Sequence, residues 1–184
     1  MPKKYTKQQG KELIKLARKS IENEFSKKQT KTPDKFQEKR GVFVTLYQVE
    51  KKNKKKELRG CIGYPYPTLP LSQAVIKAAI SAAFSDFRFQ PLLKSELKSI
   101  KIEISVLSVP KQTSLSSVKL GTDGLICEFK GHSSLLLPQV ATEHNLNKQE
   151  FLNILCRKAN LPFQVAMDSD FKLFKFQAQI FKEK

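Results

Sequence analysis

Residues 41–64 read GVFVTLYQVEKKNKKKELRGCIGY, and this stretch decides the fold. Residues 41–49 are β-branched and aromatic, which favours a strand. Residues 58–64 have the composition of a returning strand, and the charged run from Lys51 to Lys56 predicts a solvated turn between the two. The stretch is therefore predicted to form a β-hairpin.

The segments on either side of the hairpin add helices and further strands. Apolar residues recur at helical spacing in some segments and alternate strictly in others, as in IKIEISVL at 100–107. Thr6 with Gln9, and Asn147 with Glu150, form the capping-box pattern that marks the start of a helix. The predicted helices span residues 7–27, 70–84, 92–98 and 148–159, and the other predicted strands span 100–107, 125–130, 133–137 and 171–181.

The order of these elements repeats along the chain. Each half has a hairpin, a proline break, a helix and a long strand, which indicates a weak internal duplication. Short hairpins favour antiparallel pairing over βαβ units. We therefore expect an α+β fold with a mainly antiparallel sheet and flanking helices, in a single domain over residues 1–184 with possible lobes at 1–110 and 111–184.

The cysteines and the hydropathy favour a reduced, cytoplasmic protein. No apolar run approaches the roughly 20 residues that span a bilayer, and the polar N-terminal pattern is unlike a signal peptide. Cys61, Cys127 and Cys156 are too widely spaced for a zinc motif and odd in number for a disulfide framework. Cys127 and Cys156 are expected in the core, and no metal site or cofactor is predicted.

The charge raises the question of a polyanionic partner. The sequence carries a formal net charge of +17, which favours nucleic acid on electrostatic grounds alone. Most of the basic residues are lysines spread along the chain, and lysine suits bidentate recognition of phosphate or bases less well than arginine. Nucleic-acid binding is therefore kept as an alternative function.

The segment LRGCIG at 58–63 is the predicted functional site. Alternation along a strand places Arg59 and Cys61 on one face and the apolar Leu58 and Ile62 on the other. A guanidinium beside a thiol favours the thiolate, and Gly60 and Gly63 would leave the backbone open to a ligand or a partner. The alternative is a small buried cysteine next to a bulge.

Three charged residues outside this segment are further candidates. Glu103 lies on the polar side of strand 100–107, where it would be either a buried ion-pair partner or an acid–base group near Cys61. Asp86 and Arg88 flank Phe87 in a predicted loop, where they would fix the loop as an ion pair or contribute to the cleft. His132 and His144 have no metal-ligand spacing.

Several segments, in the same order, resemble the AMMECR-one domain family. The resemblance covers about residues 41–181 and includes the hexapeptide at 58–63. The other matching segments are 82–89 (AAFSDFRF), 102–107 (IEISVL), 124–126 (GLI), 135–140 (LLLPQV), 150–159 (EFLNILCRKA) and 176–178 (FQA).

This sequence departs from the family pattern at three positions. Phe87 stands where the family usually has proline, Ser134 where it has glycine before the LLLPQV segment, and Asn160 where it has glycine at a helix end. Asparagine is tolerated in the left-handed conformation that ends many helices, so we expect Asn160 to adopt it. The Ser134 departure is expected to affect the loop around His132.

The resemblance implies an α+β fold of two related halves, as in small archaeal members of the family. It also implies a role beside Memo-type and radical SAM proteins, which are neighbours or fusion partners of prokaryotic relatives. Cys61 as a nucleophile assisted by Arg59 and Glu103 is one hypothesis for function. A non-catalytic module that binds a partner through residues 58–63 is the second, with Asp86 and Arg88 as further contact residues in either.

Overall fold

The computed structural model describes residues 4–50 and 55–183. Residues 51–54 of the predicted turn lie outside this range. The described residues form α-helices and two four-stranded antiparallel sheets, which confirms the predicted α+β class. In chain order the elements are α1 (Lys7–Phe25), β1 (Val42–Val49), β2 (Lys56–Tyr64), α2 (Leu71–Phe84), a 3-10 helix (Lys94–Lys98), β3 (Ile100–Leu107), β4 (Lys111–Gln112), a 3-10 turn (Leu115–Ser117), β5 (Gly124–Phe129), β6 (His132–Leu136), α3 (Pro138–Glu143), α4 (Lys148–Lys158), a 3-10 helix (Phe163–Met167), β7 (Lys172–Phe176) and β8 (Ala178–Lys182).

The chain divides into two compact units. Unit 1 contains the residues up to Leu107 together with those from Gln179 onward, and unit 2 is Ser108–Ala178. The strand order is β2-β1-β3-β8 in one sheet and β4-β7-β5-β6 in the other. In both sheets the second strand of the hairpin, β2 or β6, lies at an edge. The first hairpin strand, β1 or β5, lies beside it, followed by the later long strand, β3 or β7. This shared order agrees with the two related halves expected from the sequence.

The core of unit 1 lies between its sheet and two helices. The capping box at Thr6 and Gln9 starts α1, whose buried apolar residues recur at helical spacing. Helix α2 buries a run of alanines, which lets its backbone pack closely on β1 and β2. Both helices cover the sheet face formed by the alternating apolar residues of the strands, namely Val42, Val44, Leu46, Ile100, Ile102, Ile104 and Val106.

Unit 2 packs α4 against its own sheet. The predicted capping box of Asn147 and Glu150 is present at the start of α4. Cys127 and Cys156 are fully buried in this core, which confirms their predicted location. Burial, followed by the proximity of Cys127, raises the pKa of the Cys156 thiol to about 11. Asn160 has a positive φ of 57°, the left-handed conformation expected for it.

The prediction of one strand over residues 171–181 is wrong. The segment forms β7 and β8, which belong to different sheets and are separated by Gln177. Both pieces have strand composition, so the local pattern does not show where the chain changes sheet. The predicted helix at 92–98 is a shorter 3-10 helix, and α3 was not predicted.

Ser134 lies in β6 and has a definite polar partner. Its hydroxyl donates to the carbonyl oxygen of Leu155 over 2.6 Å and lies 3.4 Å from the Cys127 sulfur. The side chain that replaces the usual glycine is thus accommodated by α4. Among the described residues, no helix is long and apolar enough to cross a membrane.

Helix α2 approaches strand β2 most closely at Gly60. A Cβ atom at this position would overlap the carbonyl oxygen of Ala82. Gly60 is buried, and only a residue without a side chain allows this backbone-to-backbone contact. Gly60 is therefore a packing residue between two elements of unit 1, and the expectation of an open backbone at this position is wrong.

Replacing Gly60 with alanine should destabilise the protein by about 2–3 kcal/mol, because α2 must move away from β2 to admit the methyl group. The free energy of unfolding from urea titration measures this effect. Lys77→Ala, on the exposed face of α2, is the control and should change stability by less than about 0.5 kcal/mol. An unchanged unfolding free energy for Gly60→Ala would contradict the close contact.

Candidate functional site

Cys61 lies on β2, at an edge of the unit 1 sheet. The register pairs Thr45 of β1 with Cys61 on one side and with Glu103 of β3 on the other. Residues directly opposite each other in antiparallel strands point to the same face. Cys61, Thr45 and Glu103 therefore form a row across three strands, on the sheet face opposite the helices.

The sulfur of Cys61 has a hydroxyl partner. Thr45 Oγ1 donates to Cys61 Sγ over 3.3 Å. Cys61 is partly exposed, whereas Thr45 is 8% exposed. A fixed hydroxyl that donates to sulfur stabilises negative charge on it. The alternative of a small buried cysteine next to a bulge is wrong about the burial, although β2 does contain a bulge beside Gly60.

The backbone of Cys61 is held by the loop that follows α2. Its N–H donates to Asp86 Oδ2 over 2.8 Å, and its carbonyl accepts from Arg88 Nη2 over 3.2 Å. Arg88 also donates to Asp86 through Nε and Nη2, at 3.0 and 2.8 Å. The two side chains thus pair with the outer N–H and C=O of an edge strand, which would otherwise face solvent. We call Asp86 and Arg88 the edge clamp.

The electrostatics of the edge clamp follow from its hydrogen bonds. The Arg88 guanidinium holds the pKa of the buried Asp86 carboxyl at about 2, against the opposing effect of burial, and the N–H groups of Cys61 and Arg88 lower it further. Asp86 in turn raises the pKa of Arg88, with a smaller contribution from Cys61. The guanidinium lies 5.5 Å from the centre of the Phe89 ring, and half of its surface remains open to solvent. Arg88 is therefore a fixed cation beside Cys61.

Arg59 has a different partner, and its predicted place beside Cys61 is wrong. The pairing jumps from Leu46–Gly60 to Tyr47–Leu58, so Arg59 is the extra residue of a β-bulge. Arg59 Nε and Nη2 donate to the two carboxylate oxygens of Glu96 over 2.7 and 3.0 Å. This pair lowers the pKa of Glu96.

The bulge also reverses the predicted orientation of Leu58. Leu58 pairs with Tyr47 and is 42% exposed, whereas Ile62 pairs with Val44 and packs against the core. The prediction that both residues face the core is therefore wrong for Leu58. One extra residue shifts the alternation by one position and turns the residues before it to the other face.

Glu103 shares the face of Cys61 but does not reach it. The two residues are separated by β1, which places their backbones roughly 10 Å apart at the usual spacing between strands. Glu103 Oε2 lies 3.1 Å from Lys182 Nζ, and its side chain is 12% exposed. Of the two predicted roles, the geometry favours the ion pair, since direct proton transfer needs hydrogen-bond contact.

Gly63 is partly exposed, but a Cβ at this position would overlap the Phe43 ring and lie close to the carbonyl oxygen of Val42. The predicted open glycine surface is thus absent at Gly60 and limited by Phe43 at Gly63. In the described ranges 4–50 and 55–183, no group of three or more His, Cys, Asp or Glu residues could hold a metal ion.

Thr45 is the functional residue that sequence reasoning missed. It lies in the middle of an ordinary apolar strand, and only the register of the hairpin brings it opposite Cys61. The residue pattern does not reveal the bulge at Arg59. The sequence therefore could not fix which residues of the two hairpin strands lie opposite each other. Asp86 and Arg88 were singled out, but their contacts with the Cys61 backbone were not predicted.

Comparison with known proteins gives consistent matches. The AMMECR1 family model matches residues 14–181. A protein of Methanothermobacter thermautotrophicus is 43% identical over 97% of this chain and 96% of its own length, and protein MK0488 of Methanopyrus kandleri is 43% identical over 100% and 92%. The crystal structure of PH0010 from Pyrococcus horikoshii is similar with a TM-score of 0.85 and 41% identity, over 95% of this chain and 91% of that one.

The edge clamp predicts a loss of stability in acid. Because the pKa of Asp86 falls from its ordinary value of 3.8 to about 2 on folding, its contribution is present above about pH 4 and is lost as the pH falls towards 2. Asp86→Asn should cost about 1–2 kcal/mol at pH 6, allowing for the partial exposure of Arg88.

Urea unfolding of both proteins at pH 6 and pH 2.5 tests this prediction. The stability difference between wild type and Asp86→Asn should shrink at the lower pH. Asp170→Asn, an exposed residue in unit 2, is the control and should show no comparable change. A difference for Asp86→Asn that is the same at both pH values would contradict the assigned charge state.

Proposed function

This chain belongs to the AMMECR1 family, and we propose that it is an enzyme, or a component of one, in which Cys61 acts as a thiolate nucleophile. The observation that carries the proposal is the environment of one sulfur atom. Thr45 donates to it, Arg88 is the adjacent cation, and the residue is partly open to solvent. A cation and a hydrogen-bond donor beside a thiol are the features that activate catalytic cysteines.

The geometry limits the kind of chemistry. The described hydrogen bonds of Cys61 involve a hydroxyl, a guanidinium and an ionised carboxylate that is itself bound to that guanidinium. None of these is a good general base at neutral pH. In the proposed step the sulfur of Cys61 forms a bond to an electrophilic atom of the substrate while the leaving group departs with the bonding electron pair.

Arg88 takes the role that the sequence suggested for Arg59. Its open side could hold an anionic group of the substrate next to the sulfur, while Asp86 fixes its orientation. Arg59 is held by Glu96 and takes no part in the proposed chemistry. Glu103 could assist only through a water molecule between its carboxylate and the sulfur. We therefore assign Glu103 a smaller role than Thr45 and Arg88.

From the family resemblance we propose that this chemistry takes place beside a Memo-type protein or a radical SAM enzyme. A Memo-type protein or a radical SAM enzyme would supply the electrophile or take over the product in a shared modification pathway. A cytoplasmic location likewise stays a prediction from the sequence.

Alkylation by iodoacetamide tests the nucleophile. At pH 7 Cys61 should react faster than free cysteine, and mass spectrometry should find a single site because Cys127 and Cys156 are fully buried. Thr45→Val and Arg88→Gln should each slow the reaction about threefold or more, since each removes a group that stabilises the thiolate.

Arg59→Gln is the matched control for Arg88→Gln. It removes the same charge from a side chain bound to Glu96, so the alkylation rate should stay within about twofold of wild type. A wild-type rate no faster than that of free cysteine would end the proposal.

A non-catalytic binding module is the second candidate, and exposed apolar side chains near the edge clamp favour it. Phe87 is 94% exposed between the two clamp residues, Leu93 is 64% exposed beyond them, and Leu58 is 42% exposed on β2. Exposed aromatic residues beside arginine are frequent centres of protein interfaces. A partner would dock on the clamp loop itself, not on a bare glycine surface.

Phe87→Ser separates the two candidates. Calorimetry measures the binding of a purified Memo-type protein or radical SAM enzyme from the same genome. If the module docks a partner, the Phe87→Ser variant should bind it at least about tenfold more weakly than wild type. Cys61→Ser should retain that binding, and Met167→Ser, which alters an equally exposed residue in unit 2, is the control. Equal binding by wild type and Phe87→Ser would exclude this surface.

Nucleic-acid binding stays a prediction that rests on the net charge of +17. Absence of salt-dependent binding to RNA or DNA at low ionic strength would rule it out.

A further inference from the structure

A groove in unit 1 lies between α1 and β8, away from Cys61. It has a volume of about 500 Å³, within the range of small-molecule sites. Strands β2 and β8 are at opposite edges of the sheet, so the groove and the edge clamp are separate places. Its lining residues are Lys7, Gly10, Lys11, Ile14, Lys15, Ile180, Phe181, Lys182 and Glu183.

The floor of the groove is apolar. The Phe181 ring lies directly against Gly10, where α1 has no side chain. Ile14 is 6% exposed, and Ile180 contributes a wall that is 37% exposed. An aliphatic chain or a ring lying here would cover apolar surface that otherwise contacts water.

The rim of the groove is cationic. Lys7, Lys11 and Lys15 follow each other at four-residue intervals and so line one side of α1. Throughout the described part of the chain none of these three lysines forms an ion pair, and the first turn of α1 contains no acidic residue. Like charges at this spacing, near the positive end of a helix dipole, destabilise a helix unless an anion lies nearby.

Among the described residues that line the groove, the one acidic residue, Glu183, is already neutralised. Arg18 donates to both carboxylate oxygens of Glu183 over 2.6 Å, and the N–H of Ile102 donates to the same carboxylate over 3.0 Å. Glu183 therefore does not balance the lysines. Lys182, on the opposite side of the groove, is paired with Glu103.

We propose that this groove binds a small amphipathic anion, with an apolar body on Ile14, Ile180 and Phe181 and a carboxylate or similar head group at Lys11 and Lys15. The combination of an apolar floor with a rim of uncompensated cations supports this choice over a neutral or cationic ligand. The volume of about 500 Å³ suits a compact molecule.

Decanoate is a suitable probe, used with the full chain. We expect it to displace the fluorescent anion anilinonaphthalene sulfonate, and to shift the amide resonances of Gly10, Ile14 and Phe181 in two-dimensional NMR spectra. Decanol, which lacks the charge, and hexanoate, which has a shorter aliphatic chain, should each bind at least about fivefold more weakly.

The variant Lys11→Gln/Lys15→Gln should weaken decanoate binding about tenfold, because it removes the two cations nearest the proposed head group. Ile180→Ser should weaken decanoate binding while leaving the fold intact, since the residue is partly exposed. Lys77→Gln, on the exposed face of α2, carries a charge change of the same kind and should bind normally.

Three results would overturn the proposal. The first is no binding of decanoate at 10 mM, a concentration above that expected for a weak but specific site. The second is equal weakening by Lys77→Gln, which would show a general charge effect. The third is that an acidic peptide of alternating Glu and Ile displaces anilinonaphthalene sulfonate at a lower concentration than decanoate does. This result would assign the groove to a protein partner.

Discussion

The contact between Gly60 and the carbonyl oxygen of Ala82 is the constraint on which the site depends. It brings the last turn of α2 against the edge strand β2. Four residues after Ala82 the chain reaches Asp86, whose carboxylate accepts the N–H of Cys61, the residue next to Gly60. A bulkier residue at position 60 would separate helix and strand and carry the edge clamp away from the cysteine. The packing of two backbones thus sets the position of a polar site.

The sequence was most informative where local physics decides the structure. Alternation in residues 100–107 predicted β3 with its observed bounds, and the capping boxes at Thr6 and Asn147 marked the starts of α1 and α4. These signals are local in the chain. The division of residues 171–181 between two sheets depends on pairing partners far away in sequence, so the composition of the segment could not reveal it.

The same distinction explains the outcome at the candidate site. Residues 58–63 were identified, but strict alternation assumed a regular strand, and the bulge at Arg59 breaks that assumption. Arg88, and not Arg59, is consequently the guanidinium beside Cys61. Asp86 and Arg88 were recognised as a pair, because two opposite charges in one short loop are a local feature. Thr45 becomes relevant only through cross-strand register, which the residue pattern of β1 does not encode.

The return of the chain to unit 1 has a consequence for biosynthesis. Strand β8 completes the first sheet, yet it is made after all of unit 2. Unit 2 is continuous in sequence. Strand β3, by contrast, is made several seconds of translation before its outer neighbour β8. During that interval the edge of β3 exposes unpaired backbone groups, a surface on which nascent chains aggregate. A nascent chain stalled before Gln179 should therefore be a preferred client of chaperones.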